Sequence, residues 1–485
     1  MKILVTQLAR LGDIYMTWPV LRAVRRTYPD AEIHLLTRPR FEGAVEGLKI
    51  IDRHWSLSSS TILSPLVQAE ADIDTSLARL DHFVSELSEQ NFDWIINLTF
   101  SPVSSYLTHA ISGLHTRVSG YSRYNDGTLC LSDEVSGYFY SQVGTNKANR
   151  VHLSDIFASM LELEYVESDW AAPEIQECAF ALPERYIIIH VGASEAHKSL
   201  TPKQWIQVLQ TLGQRGQSIP IVLIGAPNES VLSQEIIKGL TGSHVVDLVG
   251  KTKVSDLFAI LQKADLLVGC DSAPIHMASL TDTPTLNISV GNVNFWETGP
   301  KASLGFIYRA ETAASLNGPE LGAVLADLLD GNITDGLIVR SAGLVSYQKS
   351  ETASERFQWD LVQALYLGGN YPVADRIEII QGAYQLQEIN TFAMEQIKTV
   401  PTKGLELIGP LLDRAEEVIQ NISQWVPELS PLISWYQAEK IRIGPGSLEE
   451  ICTAALNVHE RMARHLQPYI PHEATTENGV GDGTL

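Results

Sequence analysis

Leu266-Leu267-Val268-Gly269-Cys270-Asp271-Ser272-Ala273-Pro274-Ile275-His276-Met277-Ala278 is an apolar run that narrows to small and polar residues and then passes straight into a helical pattern. A short uninterrupted apolar run of this kind reads as a strand buried on both faces, and a helix starting at its carboxyl end makes the first half of a βαβ unit. The same grammar recurs on either side. Strand candidates at residues 186–191, 221–224, 244–248 and 285–288 are each followed by a glycine-bearing turn or a helical pattern. An earlier series has strands at 3–5, 32–36 and 94–98 and a helix over about 13–27. The expectation is an α/β fold: two Rossmann-like, doubly wound domains in series, with strand ends and ligand-binding loops around a shared cleft.

The change of pattern between Pro173 and Pro183 separates the two series. We therefore expect an N-terminal domain over residues 1–172 and a second over 173–338. Past about Ser341 the strand signal gives way to helical spacing, with Phe357, Leu361, Ala364 and Leu365, then Ile377, Ile380 and Tyr384, on the expected buried faces. Residues 339–472 are expected to form an all-helical module and 473–485 a disordered tail. The module reads as an irregular bundle, with a degenerate repeat of two or three hairpins as the alternative. Ser447 with Glu450 three residues on marks the start of its last helix.

The 485 residues, 45% hydrophobic and 19% charged, are ordinary for globular domains and ample for a sizeable core. With 57 acidic against 35 basic residues the formal net charge is -22, which opposes non-specific binding to nucleic acid or an anionic membrane. A phosphate ligand must then be held by a local site. The opening run Met1-Lys2-Ile3-Leu4-Val5-Thr6 is too short for a signal peptide or a span, so a cytoplasmic location is expected. Cys130, Cys178, Cys270 and Cys452 are too scattered for a zinc site or disulfide framework and are expected to be reduced thiols.

Four segments carry candidate chemistry. Arg10-Leu11-Gly12-Asp13 lies between the first strand and first helix, where Gly12 allows close backbone approach and Asp13 reads either as a helix cap or as a general base for a hydroxyl nucleophile. His190-Val191-Gly192-Ala193-Ser194 leads to Lys198, which is either a plain surface lysine or a cation for a departing diphosphate. Gly225-Ala226-Pro227-Asn228-Glu229 offers an acid for ribose hydroxyls, or one favoured by a helix start. At 269–278 the helix start offers free N–H groups to a phosphate, and His276 either meets that phosphate or packs inside. Asp72-Ile73-Asp74 has a metal-binding spacing but precedes a helical run, so it reads as a cap; no metal site is expected.

The three ordered motifs at 10–13, 190–198 and 268–279 together resemble glycosyltransferase family 9, the ADP-heptose:lipopolysaccharide heptosyltransferases, over roughly residues 1–310. The resemblance implies a GT-B fold and an inverting, metal-independent transfer of a sugar, heptose from ADP-heptose, to a hydroxyl of a lipopolysaccharide-type or other glycan. By it, Asp13 matches the general base and Lys198 faces the donor diphosphate. Donor binding falls to Gly12, Gly192, Ser194, Glu229, Asp271, Ser272, Ala273 and His276. It implies no cofactor beyond the nucleotide sugar as substrate. The acceptor expected is a glycan, lipid-linked or protein molecule, with peripheral contact at the cytoplasmic face of the inner membrane; the helical module, outside the family's usual core, is expected to bind a protein or self-associate. Three departures stand out: Ala273 replaces a glycine, Ser199 an arginine, and Val290-Gly291-Asn292-Val293-Asn294 a Gly-Pro-Thr-like loop. The alternatives are a transferase using another nucleotide sugar or a protein acceptor, and a degenerate sugar-nucleotide-binding scaffold.

Overall fold

The computed structural model describes residues 1–470 except 175–176, 194, 243, 334–337, 342–343 and 348–351. Two compact units result: Met1–Phe139 with Val143–Ser350, and Tyr140–Gln142 with Glu351–Leu485. The expected tail at 473–485 lies outside the described residues.

The first unit contains two sheets. The strands are β1 (Lys2–Thr6), β2 (Glu32–Thr37), β3 (Arg53–Ser56), β4 (Trp94–Asn97), β5 (Arg117–Arg123) and β6 (Leu129–Leu131) in one. The other holds β7 (Ile187–His190), β8 (Ile221–Ile224), β9 (Val245–Asp247), β10 (Leu266–Cys270), β11 (Thr285–Val290), β12 (Leu304–Ala310), β13 (Ile338–Ser341) and β14 (Leu344–Tyr347). Their orders are β3-β2-β1-β4-β5-β6 and β14-β13-β12-β11-β10-β7-β8-β9. All neighbours from β3 to β5 and from β12 to β9 are parallel, as right-handed βαβ crossovers require. The order reverses between β1 and β4 and between β10 and β7, which puts a ligand crevice at the carboxyl ends of β1 and of β7 and β10.

Ile3, Leu4 and Val5 and the run Ile187-Ile188-Ile189 are wholly buried because helices cover both faces of each sheet. The second sheet packs Ile187, Ile189, Val268, Leu286 and Ile288 against Trp205, Leu209, Leu321 and Leu325. This sheet also extends further than the expected boundary at 338. β13 and β14 continue it antiparallel to β12, so strands run to Tyr347 and the first long helix of the other unit begins at Ala353. Ile338-Val339 and Leu344-Val345 are short β-branched and apolar pairs, which helical spacing obscured.

The second unit is helical throughout its described part, with helices Ala353–Tyr366, Ile377–Lys403, Leu405–Trp425, Ser430–Arg442 and Leu448–Leu466. Gly404, at φ +84°, makes the turn of one helical hairpin. Ser447 accepts from the Glu450 N–H, as the capping-box pattern indicates. Phe357 and Leu361 are buried as expected, but Ile377 and Tyr384 are exposed; Ile379, Ala383 and Leu386 face the core instead. The expected phase of that helix was wrong by about two residues, because its apolar residues occur on more than one face. Among the described residues, no helix is long and apolar enough to cross a membrane.

Candidate functional site

The helix Leu11–Thr27 starts a few residues past β1, and the helix Ala273–Thr281 starts past β10. Their first turns come together across the α/β unit. A β-carbon at Gly12 would sit 2.6 Å from His276 Cδ2 and 3.6 Å from the Ala273 Cα, so this approach requires a residue without a side chain. Asp13 follows at once. It is the third residue of its helix, not the cap: Arg10 holds the cap position, and its N–H donates to Asp13 Oδ2 at 2.8 Å. Burial raises the Asp13 carboxyl above the ordinary carboxylate range; the Arg10 N–H, His276 and the Arg10 charge pull it down, and Asp271 adds to the rise. The result is a carboxylate of increased basicity beside the opposite domain's helix start, which suits a proton acceptor.

On the other wall, Asp271 Oδ1 accepts from Thr298 Oγ1 at 2.9 Å. Ser272 holds the cap position of its helix, yet its side chain makes no capping bond. It donates to the Cys270 carbonyl at 2.8 Å and lies 3.1 Å from His190 Nδ1. With the hydroxyl hydrogen given to Cys270, the network assigns Nδ1–H of His190 as donor. Burial holds His190 down at about 4, so the ring is neutral at pH 7. His276 is 7% exposed, and burial lowers it too, against the pull of Asp271 and Asp13. Because the Ser272 side chain is turned sideways and Pro274 has no N–H, the amide of Ala273 is the donor best placed at this helix start for an anion.

Lys198 closes a short turn, Ala196–Lys198, beyond β7, with its Nζ 3.2 Å from Glu195 Oε2. The other oxygen of Glu195 is 2.8 Å from Arg10 Nη2, next to Asp13. Glu229 ends the turn Pro227–Glu229 and accepts from the Ala226 N–H at 2.7 Å. Its carboxyl group lies so close over Gly192 that any β-carbon there would collide with it, and a β-carbon on Gly225 would come within 2.5 Å. Burial raises the Glu229 carboxyl, with the Ala226 N–H opposing. The structure thus gathers Gly12, Asp13, Asp271, Ser272, Ala273 and His276 at one place, and Gly192 with Glu229 beside β7 and β8. Ser194 lies outside the described residues.

Arg10, Glu195, His190 and Thr298 were not among the expected site residues. His190 and Arg10 stood within the quoted motifs, but nothing in their spacing showed that His190 would support Ser272 or that Arg10 would reach the loop after β7. The loop at 290–294 has a structural duty of its own. Asn294 caps the short helix Phe295–Thr298, and its Nδ2 donates to the Asn149 carbonyl at 2.8 Å and to Glu297 at 3.0 Å. Buried Glu297 also accepts from the Gly144 N–H and from Asn149, tying the linker between the two sheets to this loop. Asp72 is a helix cap that accepts from the Thr75 N–H at 2.9 Å. Among the described residues no group of three or more His, Cys, Asp or Glu is placed to hold a metal ion.

Residues 81–302 match the model of glycosyltransferase family 9 (heptosyltransferase). The chain is 21% identical to lipopolysaccharide heptosyltransferase 3 of Escherichia coli K12 over 57% of its own length and 79% of the relative's. It is 23% identical to lipopolysaccharide heptosyltransferase 1 of Campylobacter coli over 59% and 83% of the two chains. Among solved structures, a family 9 glycosyltransferase of Veillonella parvula aligns with TM-score 0.49 and 20% identity, covering 69% of this chain and 92% of that one.

Proposed function

We propose, for a chain that belongs to glycosyltransferase family 9 and is a glycosyltransferase by that membership, that Asp13 is the general base of an inverting, metal-independent sugar transfer. The observation that carries this reading is the meeting of two helix starts at Gly12 and His276, which sets a carboxylate of raised basicity against an anion-accepting helix end. An acceptor hydroxyl is a weak nucleophile at neutral pH. In this reading Asp13 removes its proton while the oxygen attacks the anomeric carbon from the face opposite the leaving diphosphate, so configuration inverts. Lys198 and the amide at Ala273 take up the charge that develops on the departing diphosphate, and no metal is needed for that step. Glu229, pressed against Gly192, is suited to hold the donor's ribose hydroxyls. Asp271, held by Thr298, is suited to meet the donor where the sugar joins the diphosphate.

The names of the relatives favour a heptose donor and a lipopolysaccharide acceptor, and the donor proposed here is ADP-heptose. The enzyme would then work in the cytoplasm. The test is transfer from ADP-heptose to a deheptosylated core acceptor, with the product's anomeric configuration read by NMR. The expected product is inverted, and turnover is undiminished in excess chelator. A thermal-shift panel of ADP, UDP, GDP and CMP fixes the nucleotide, since a ligand at ~100 times its dissociation constant stabilises by ~2.7 kcal/mol. Protection by UDP and not by ADP would overturn the heptose assignment, and a retained configuration would remove Asp13 from the role of base.

A further inference from the structure

Glu195 lies on the loop after β7, and its two carboxylate oxygens are engaged by cations from different halves of the α/β unit. Arg10 Nη2 is 2.8 Å from Oε1, and Lys198 Nζ is 3.2 Å from Oε2, with His197 Nε2 3.4 Å from the same oxygen. Lys198 is mostly covered, at 16% side-chain exposure, whereas Arg10 is 61% exposed. Arg10 is also the residue whose N–H holds Asp13. A single anion is thus clasped at the mouth of the cleft, between the lysine assigned to the donor diphosphate and an arginine adjoining the base. A diphosphate entering that cleft presents oxygens of the same charge and the same acceptor chemistry, and an arginine fork suits phosphate as well as carboxylate.

We infer that Glu195 is an internal counter-ion occupying the place of the donor's diphosphate, and that Arg10 is a second ligand for that diphosphate, reached when the incoming phosphates displace the Glu195 carboxylate. This deepens the transferase reading and rests on it. The closed set lowers the apparent affinity for a diphosphate by the fraction of molecules in which Glu195 still holds the cations. It also keeps Arg10 beside Asp13 in the absence of donor. Lys198 first, and then Arg10, hold the Glu195 carboxyl below the usual carboxylate range, so it stays ionised as competitor at neutral pH.

The test measures binding of inorganic pyrophosphate and of ADP by calorimetry to the full chain and to Glu195→Gln, Arg10→Gln and the double variant. Pyrophosphate makes the result independent of the nucleotide base. Glu195→Gln is expected to tighten both ligands by about two- to fivefold, the size of a part-exposed ion pair, and Arg10→Gln to weaken them. In the Arg10→Gln background the gain from Glu195→Gln should shrink. Weaker or unchanged binding in Glu195→Gln overturns the inference and leaves the transferase reading standing, provided the wild type binds and Lys198→Ala does not. A wild type that binds neither ligand overturns both. Glu195→Gln is nearly isosteric on a part-exposed loop, and a melting curve matching the wild type confirms that the comparison is between folded proteins.

Discussion

In the helical unit, buried Glu428 is met by Arg376 Nη1 at 2.6 Å, and Glu439 by Arg442 Nη1 at 2.7 Å and by Arg461. In the α/β unit, Asp13 and Glu229 are only partly withdrawn from water, and each is held by a backbone N–H, from Arg10 and Ala226. The difference lies in what burial does to the charge. An arginine repays the desolvation of a carboxylate and leaves it an inert part of the packing. A single peptide N–H repays less, so burial raises both Asp13 and Glu229 and leaves them able to exchange protons or bind a polar ligand. Among these four acids, the manner of compensation separates structure from chemistry.

The sharpest way to break this comparison is Asp13→Asn. Transfer should fall by about 10²- to 10⁴-fold, with pyrophosphate binding kept. Stability should move the other way. A carboxyl whose pKa is raised by folding favours the folded state only below its unfolded value and costs stability once pH rises through the folded one. Asp13→Asn should therefore melt at the same or a higher temperature than wild type at pH 7.5, with the advantage shrinking as the pH is lowered. A lower melting temperature at pH 7.5 would class Asp13 with the structural acids.

Gly12→Ala comes next. The new β-carbon meets the His276 ring, and overpacking of this kind costs about 1–3 kcal/mol. Chemical denaturation should register that loss, and transfer should fall with it because the two helix starts are forced apart. In the helical unit, Arg376→Ala strips buried Glu428 of its partner at a cost of about 2 kcal/mol. Urea denaturation should show it while the transfer rate stays unchanged; a drop in transfer comparable with that of Gly12→Ala would tie the helical unit to catalysis.

The smallest effect is acid sensitivity of the helical unit. Burial holds His459 and His465 down from 6.5 to about 4, helped by Lys440 at the first and by Arg461 and Arg464 at the second. Both stay neutral when folded, and the unfolded chain takes up protons first, so their contribution is complete above pH 6.5 and is lost as pH falls toward about 4. Amide protection in residues 353–470, taken relative to the intrinsic exchange rate at each pH, should fall over that window. His459→Gln should flatten the dependence, since Asn390 and Tyr436 can still be bonded by an amide at that position.

Much of the α/β unit was legible because its central strands are apolar on both faces. The runs at 3–5, 94–98, 186–191, 221–224, 265–268 and 285–288 each coincide with an observed strand to within two residues at either end. β3, with Arg53-His54-Trp55-Ser56, and β5, which opens Arg117-Val118-Ser119-Gly120, carry too many polar residues to announce themselves. They pair because neighbouring strands supply hydrogen-bonding edges, which periodicity does not encode. In the helical unit the spacing correctly called for helices and missed the buried face of Ile377–Lys403, because which stripe is covered depends on the partner helices. The motif residues were likewise found by their positions at strand ends, whereas Thr298, which lies 27 positions from Asp271, had no local signal at all.

The sequence by itself determined where the chain turns from strand to helix and which small, acidic and basic residues stand at those turns, since these follow from local apolar runs and glycine placement. Only the tertiary structure decided that Gly12 would abut His276, that Arg10 would cross to Glu195, and that Glu229 would lie against Gly192. Those pairings join residues far apart in the chain. Their partners are chosen by sheet order and helix packing, and the shifts in proton affinity that give the site its chemistry arise from that desolvation, which no local pattern records.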